Sequence, residues 1–140
     1  MTLRYLLDTN VLSEPLRPQP NPAVMEKLRL HQQEIATATI VWHELLFGCQ
    51  RLGESKKRHT IETYLQEVVQ PHIPILSYDQ AAATWHAQER TRLVSLGKTP
   101  AFADSQIAAI SYSNDLIIVT NNISDYRDFL DLKLENWHQE

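Results

Sequence analysis

Short apolar runs alternate along the chain with longer segments in which apolar residues recur every three or four positions. The short runs predict buried strands, at residues 3–7, 35–38, 73–76 and 116–119. The longer segments predict helices, at residues 22–30, from 39 onward, 54–69, 78–96 and 100–114. Strands that alternate with helices predict an α/β fold, in which helices cover both faces of a parallel sheet.

Prolines and a glycine mark several of the predicted helix ends. Asn21 and Pro22 form the cap and first-turn pair that opens a helix, and Pro100 opens another. Pro71 is expected to end the helix that precedes it, because proline cannot continue the hydrogen-bond pattern. Gly97 is suited to the residue that follows a helix. The boundaries therefore agree with the hydrophobic pattern.

Two polar residues directly follow predicted strands. Asp8 follows the first apolar run and starts the segment Asp8-Thr9-Asn10, which is suited to cap a helix, and Thr120 follows the last run. In open parallel sheets the functional crevice lies beyond the carboxyl ends of the strands. Asp8 and Thr120 are therefore candidate functional residues.

Three acidic residues stand among apolar neighbours. Asp8 follows a buried strand, Glu44 shares a helical face with Val41, and Asp104 shares one with Ile107, so the three are predicted to point inward. Buried carboxylates repel one another and are costly unless they are paired or bind a metal. An oxygen-rich pocket of this kind suits Mg²⁺ or Mn²⁺.

Structural roles compete with this interpretation for two of the acids. Asp8 could cap a helix, and Asp104 could complement a helix N-terminus. Glu44 has no such role in the middle of a helix, and no Lys or Arg lies three or four residues away to pair with it. Glu44 therefore favours the metal-site hypothesis most strongly.

Composition and charge narrow the class of protein. The 140 residues, 43% of them hydrophobic, suffice for one folded domain, and the single cysteine excludes an internal disulfide or a paired-cysteine zinc site. The chain lacks a signal-peptide core or membrane-spanning window, so we expect a cytoplasmic protein without a membrane partner. The net charge of −4 opposes nucleic-acid binding unless bound divalent ions reverse the local field.

Four segments, in the same order, resemble those of PIN-domain ribonucleases. They are Leu6-Leu7-Asp8-Thr9-Asn10-Val11-Leu12, Ile40-Val41-Trp42-His43-Glu44-Leu45 with Gly48, Ala103-Asp104-Ser105-Gln106-Ile107-Ala108, and Val119-Thr120-Asn121-Asn122. More narrowly, the chain is similar to VapC-type toxins of bacterial toxin–antitoxin pairs. Residues 13–21 are similar to the FitB branch of that group.

This resemblance implies a fold, an activity and partners. The fold is an α/β/α sandwich around a central, mainly parallel sheet, with residues 1–140 as a single PIN domain. The activity is endoribonuclease cleavage of RNA with one or two Mg²⁺ (or Mn²⁺) ions. The partners are a second copy of the chain and a small DNA-binding antitoxin. The toxin contacts operator DNA only through this antitoxin.

The resemblance also implies site residues. Asp8, Glu44 and Asp104 match the metal-binding acids of the family, and Thr120 matches its hydroxyl residue, which we count with them as catalytic. Many members carry a fourth acid two residues after that threonine, where this chain has Asn122. The nearest carboxylate is that of Asp125. Whether Asn122 or Asp125 supplies a fourth ligand is left open.

Four cations are candidate contacts for RNA phosphates. They are Arg17, Arg90, Arg92 and Lys98. Arg17 lies in the loop near the first strand, and the other three lie near the predicted Gly97 turn. Solvated surface positions are the alternative interpretation.

Two other functions remain open. One is a catalytically silent PIN-like protein that binds RNA or a partner without cutting. The other is a Mg²⁺-dependent phosphatase with Asp8 as nucleophile, which would be expected to carry a second acid where this chain has Asn10.

Overall fold

The structure is a computed structural model that describes residues 2–138. Its strands are β1 (Tyr5–Leu7), β2 (Ile35–Ala38), β3 (Ile75–Leu76), β4 (Ile117–Val119) and β5 (Lys133–Glu135). Its helices are α1 (Thr9–Leu12), α2 (Pro22–Leu30), α3 (Thr39–Gln50), α4 (Lys56–Tyr64), α5 (Gln70–His72), α6 (Gln80–Ser95) and α7 (Phe102–Ser113). The strands pair in parallel in the order β3-β2-β1-β4-β5, flanked by the helices. The predicted α/β/α fold is confirmed.

Strand β1 lies at the centre of the sheet. Tyr5 stands opposite Ile35 on one side and Ile117 on the other, and Leu7 stands opposite Val119. The side chains of β1 and β2 are buried throughout. Strands that are covered on both faces have nearly continuous apolar sequences, which explains why the hydrophobic pattern identified them.

The predicted helix ends are largely confirmed, with one correction. The Asn21 side chain accepts the N–H groups of Ala23 and Val24 at the start of α2, and Gly97 has a positive φ of 76°. Pro71 lies within the last turn of its helical segment rather than just beyond it. Helix α4 continues as a π-helix (Leu65–Val69) into the short α5, which ends at His72, one residue after Pro71. None of the helices formed by residues 2–138 could span a membrane.

The buried carboxylate of Glu14 connects the end of the described chain to the segment that follows α1. The Glu14 side chain is 1% exposed, and its carboxylate accepts the Asn21 N–H at 2.8 Å and contacts His138 Nε2 at 3.0 Å. Arg17 lies 3.4 Å from it. Burial favours a higher pKa for Glu14, but these partners outweigh it and hold the pKa below its usual value. The ionised carboxylate is therefore a structural link between distant segments.

We expect Glu14→Gln to lower the Tm by about 5 °C at neutral pH, because it removes a buried charge from its partners. A lowered folded-state pKa stabilises the protein above the unfolded-state value, and this stabilisation is lost as the pH falls through the folded-state pKa. The Tm difference should therefore shrink in acid, as thermal unfolding from pH 7 to pH 3 would show. Glu26→Gln, which alters an exposed pair with Arg29, is the control. A Tm difference that does not vary with pH would contradict the charge-based explanation.

Candidate active site at the carboxyl edge of the sheet

The ends of two neighbouring strands place Asp8 beside Thr120. Strands β1 and β4 run parallel with Leu7 opposite Val119, so the residues that follow them lie side by side. The Asp8 N–H donates to the Val119 carbonyl at 3.0 Å, which continues the pairing by one residue. Both predicted residues therefore share the edge at which open sheets carry their functional crevice.

Hydrogen bonds fix the Asp8 carboxylate, which is 7% exposed. Oδ1 accepts the Thr9 N–H at 2.8 Å, so Asp8 is also the cap of α1, as the structural interpretation proposed. Oδ2 accepts the Thr120 hydroxyl at 2.9 Å and the Tyr126 hydroxyl at 3.1 Å. Tyr126 was not predicted from the sequence, because no spacing or motif connects it with Asp8.

Glu44 lies beside Asp8, but it does not point into the core. Helix α3 begins directly after β2, and the Glu44 Oε2 atom accepts the Thr9 hydroxyl at 2.7 Å. Val41 is fully buried whereas Glu44 is exposed, so the prediction that Glu44 points inward with Val41 is wrong. The reason is that this turn of α3 stands at the edge of the sheet, where a side chain borders the crevice.

Asp104 lies in the first turn of α7 and is half-buried. Its pKa is raised to about 6, by burial first and then by the charges of Asp125, Asp8 and Glu44. Asp8, Glu44 and Asp125 therefore lie close enough to Asp104 for their charges to act on it. We refer to these four carboxylates, of Asp8, Glu44, Asp104 and Asp125, as the acid cluster.

The turn after β4 decides how Asn122 and Asp125 relate to the cluster. The Asn122 N–H donates to the Thr120 hydroxyl oxygen at 3.0 Å, and the Asn121 N–H donates to Asn10 Oδ1 at 2.9 Å. Asn122 thus contacts the site through its backbone, and its side chain is exposed. Asp125 is the charged residue of this turn that raises the pKa of Asp104.

The donor set of the acid cluster suits a hard divalent cation. Carboxylate oxygens are the ligands that Mg²⁺ and Mn²⁺ prefer, and within residues 2–138 no Lys, Arg or His forms an ion pair with a member of the cluster. Within residues 2–138, no three His, Cys, Asp or Glu side chains converge closely enough to hold a metal ion together. The fit to Mg²⁺ or Mn²⁺ therefore rests on the chemistry of the carboxylate donors.

Comparison with known proteins identifies the family. Residues 5–128 match the PIN domain. The chain belongs to the PIN-domain family. Toxin FitB of Neisseria gonorrhoeae is 36% identical over 124 residues, which cover 86% of this chain and 89% of FitB. The tRNA(fMet)-specific endonuclease VapC of Shigella flexneri is 31% identical, with 96% of this chain and 98% of that VapC covered. The resemblance to VapC and FitB toxins is confirmed.

Solved structures place the PIN domain in the same group. FitAcB from Neisseria gonorrhoeae superposes with a TM-score of 0.87 at 34% identity, covering 96% of this chain and 99% of that chain. VapBC2 from Rickettsia felis, bound to a DNA fragment from its promoter, superposes with a TM-score of 0.82 at 27% identity, covering 98% and 99%. Agreement over almost the whole chain supports the predicted fold.

The candidate phosphate contacts of this PIN domain differ in how many bonds their side chains already form within the protein. Arg92 donates two hydrogen bonds to the buried Glu89 carboxylate and one to the Asp128 carbonyl, so its guanidinium already bonds to other parts of the protein. Arg17 is paired with Glu14. Arg90 is exposed, with its guanidinium 5.4 Å from the centre of the Phe102 ring.

Lys98 lies near the acid cluster. It forms an exposed ion pair with Asp128 at 3.1 Å, and it lines a cavity of about 420 Å³ together with Asp104 and Asp125. Lys98 is therefore a predicted phosphate contact that shares a cavity with two acids of the cluster. A solvent-exposed ion pair is weak, so a phosphate could displace Asp128 at small cost.

We expect Asp104→Asn to raise the Tm of the metal-free PIN domain above pH 6. A raised folded-state pKa means that ionised Asp104 destabilises the fold, fully above about pH 6 and progressively less as the pH falls. The neutral amide removes this penalty. Thermal unfolding in a chelator from pH 4 to pH 8 would show the gain shrinking in acid, with exposed Glu67→Gln as the control. A gain that is equal at pH 4 and pH 8 would contradict repulsion as its cause.

Proposed function

We propose that this PIN-domain protein is a Mg²⁺- or Mn²⁺-dependent endoribonuclease and the toxin of a VapC/FitB-type toxin–antitoxin pair. The observation that carries the proposal is the grouping of Asp8, Glu44 and Asp104 at the carboxyl edge of the sheet, in the order and places of the family's acids. The names of the relatives, an endonuclease VapC and Toxin FitB, support the reaction and the biological role.

The acid cluster would hold one or two ions. Asp8, Glu44 and Asp104 are the proposed ligands, and Asp125 is favoured over Asn122 as the fourth, because its charge acts on Asp104. When bound, the ion supplies Lewis acidity and positive charge for hydrolysis of a phosphodiester.

The remaining residues position these acids. The Thr120 hydroxyl orients Asp8, and the Thr9 hydroxyl keeps Glu44 at the crevice. The Asn122 N–H fixes the Thr120 oxygen, which keeps its proton directed toward Asp8. Lys98, beside the cluster, is the cation best placed to receive the phosphate backbone of RNA, whereas Arg17, Arg90 and Arg92 would contact it farther out.

The partners follow from the same family membership. We propose a homodimer in the cytoplasm, in which the whole of residues 1–140 forms one domain, and a small DNA-binding antitoxin that brings the toxin to operator DNA. The VapBC2 structure bound to a promoter fragment supports this arrangement. Light scattering of the purified protein, alone and co-expressed with the product of the adjacent reading frame, tests both associations.

Asp8→Asn, Glu44→Gln and Asp104→Asn are each expected to reduce RNA cleavage by a factor of about 100 or more, because each removes a charged ligand. Cleavage of a labelled RNA by purified protein with Mg²⁺, with Mn²⁺ and with a chelator measures this, and Glu67→Gln is the matched surface control. RNA binding without metal-dependent cleavage in the wild type would favour the silent PIN-like alternative. Hydrolysis of a small phosphomonoester without RNA cleavage would favour the phosphatase.

We expect Asp125→Asn to weaken Mn²⁺ binding by about tenfold, because affinity for a hard cation rises with ligand charge. Asn122→Ala, which keeps the backbone N–H that bonds Thr120, should leave the affinity nearly unchanged. Calorimetric titration of the two variants beside the wild type compares them directly. Loss of affinity in Asn122→Ala alone would assign the fourth ligand to the Asn122 amide instead.

A further inference from the structure

The carboxylate of Asp8 has more hydrogen-bond donors than a helix cap requires. Within residues 2–138, Oδ1 accepts the Thr9 N–H, and Oδ2 accepts two hydroxyls, those of Thr120 at 2.9 Å and Tyr126 at 3.1 Å. Capping of α1 needs only the first of these bonds. The two bonds to Oδ2 must therefore be explained by what they do to the carboxylate.

Tyr126 is held so that its hydroxyl cannot easily leave Asp8. The residue is fully buried in the hydrophobic core. Its own N–H donates to the Ile123 carbonyl at 3.0 Å, and its carbonyl accepts the Phe129 N–H at 3.2 Å. Movement of the ring would disturb both the core and the turn that carries Asp125. The contact with Asp8 is thus built into the fold.

Packing alone does not explain a tyrosine at this position. A phenylalanine would fill the same space, and burying a hydroxyl is unfavourable unless it finds a hydrogen-bond partner. Within the described residues, the partner of the Tyr126 hydroxyl is the Asp8 carboxylate. The role of the hydroxyl is therefore its hydrogen bond to the Asp8 carboxylate.

The hydrogen bonds leave Asp8 with one free coordination position. An ionised carboxylate offers about four lone-pair sites, two on each oxygen. Thr120 and Tyr126 occupy those of Oδ2, and the Thr9 N–H occupies one of those of Oδ1. We propose that Tyr126 is a positioning residue, whose hydroxyl makes Asp8 a ligand through a single oxygen. The inference rests on the proposed function, in which Asp8 holds a divalent cation.

Ligation through one oxygen discriminates between hard cations. Ca²⁺ takes roughly six to eight oxygen ligands and often binds both oxygens of one carboxylate. Mg²⁺ demands near-octahedral geometry, keeps several waters and uses few protein oxygens. With both sites of Oδ2 filled by hydroxyls, Asp8 cannot chelate Ca²⁺ through two oxygens. Tyr126 therefore favours Mg²⁺ and Mn²⁺ over Ca²⁺.

Tyr126→Phe tests this selectivity, because it removes the hydroxyl and keeps the buried ring. In separate calorimetric titrations, the Mn²⁺ affinity should fall by about tenfold, the usual effect of losing a residue that orients a metal ligand, while the Ca²⁺ affinity stays equal or rises. Tyr64→Phe is the matched control. It removes a hydroxyl that donates to the Leu12 carbonyl at 2.6 Å, and it should leave the ratio of the two affinities unchanged.

An equal loss of affinity for Mn²⁺ and Ca²⁺, or no change in either affinity, would overturn the inference. Thr120→Val frees the same oxygen of Asp8 and should shift the ratio in the same direction, which keeps the test decisive if Tyr126→Phe does not fold. Cleavage of RNA by the wild type is measured in parallel. Mn²⁺ binding without cleavage contradicts the proposed function alone, whereas cleavage with an unchanged ion ratio in the variants contradicts this inference alone.

Discussion

Repulsion among the four carboxylates of the acid cluster is the constraint on which the rest of the structure depends. The fold must hold like charges together at one edge of the sheet, although the other three raise the cost of ionising Asp104. It does so with neutral donors: hydroxyls and a backbone N–H for Asp8, and a hydroxyl for Glu44. Neutral donors fix a carboxylate without cancelling its charge, so the cluster stays available to a cation.

The stability that opposes this repulsion lies away from the cluster. Strands β1 and β4 are apolar and largely buried, so Asp8 and Thr120 directly follow two inner strands of the sheet. The buried Glu14 carboxylate differs from the acid cluster, because the Arg17 guanidinium lies beside it and the Asn21 N–H and His138 Nε2 contact it. The fold thus pairs a cation with the acid that joins segments, whereas within residues 2–138 no cation forms an ion pair with the acids at the crevice.

Much of this arrangement could be predicted from the sequence, for physical reasons that also set the limits. The runs of β1, β2 and β4 were found because these inner strands are covered on both faces, which demands continuous apolar residues. At the edges of the sheet, β3 was found because Ile75 and Leu76 are both apolar, whereas β5 was missed because Lys133–Glu135 contains one apolar residue. The predicted direction of the Glu44 side chain was wrong because helical periodicity shows which residues share a helix face but not what that face packs against. Tyr126 was missed because its partner, 118 residues away, is chosen by the tertiary turn after β4.

The distribution of cations explains how an acidic protein can still act on a polyanion. Seven of the thirteen lysines and arginines form ion pairs within residues 2–138. Few positive charges are then left for phosphate contacts, and the acid cluster itself repels RNA. Under the proposed function, attraction for the phosphate at the crevice must come chiefly from the divalent ion. By thermodynamic linkage RNA must in turn strengthen binding of that ion, so RNA and the ion each raise the affinity of the site for the other.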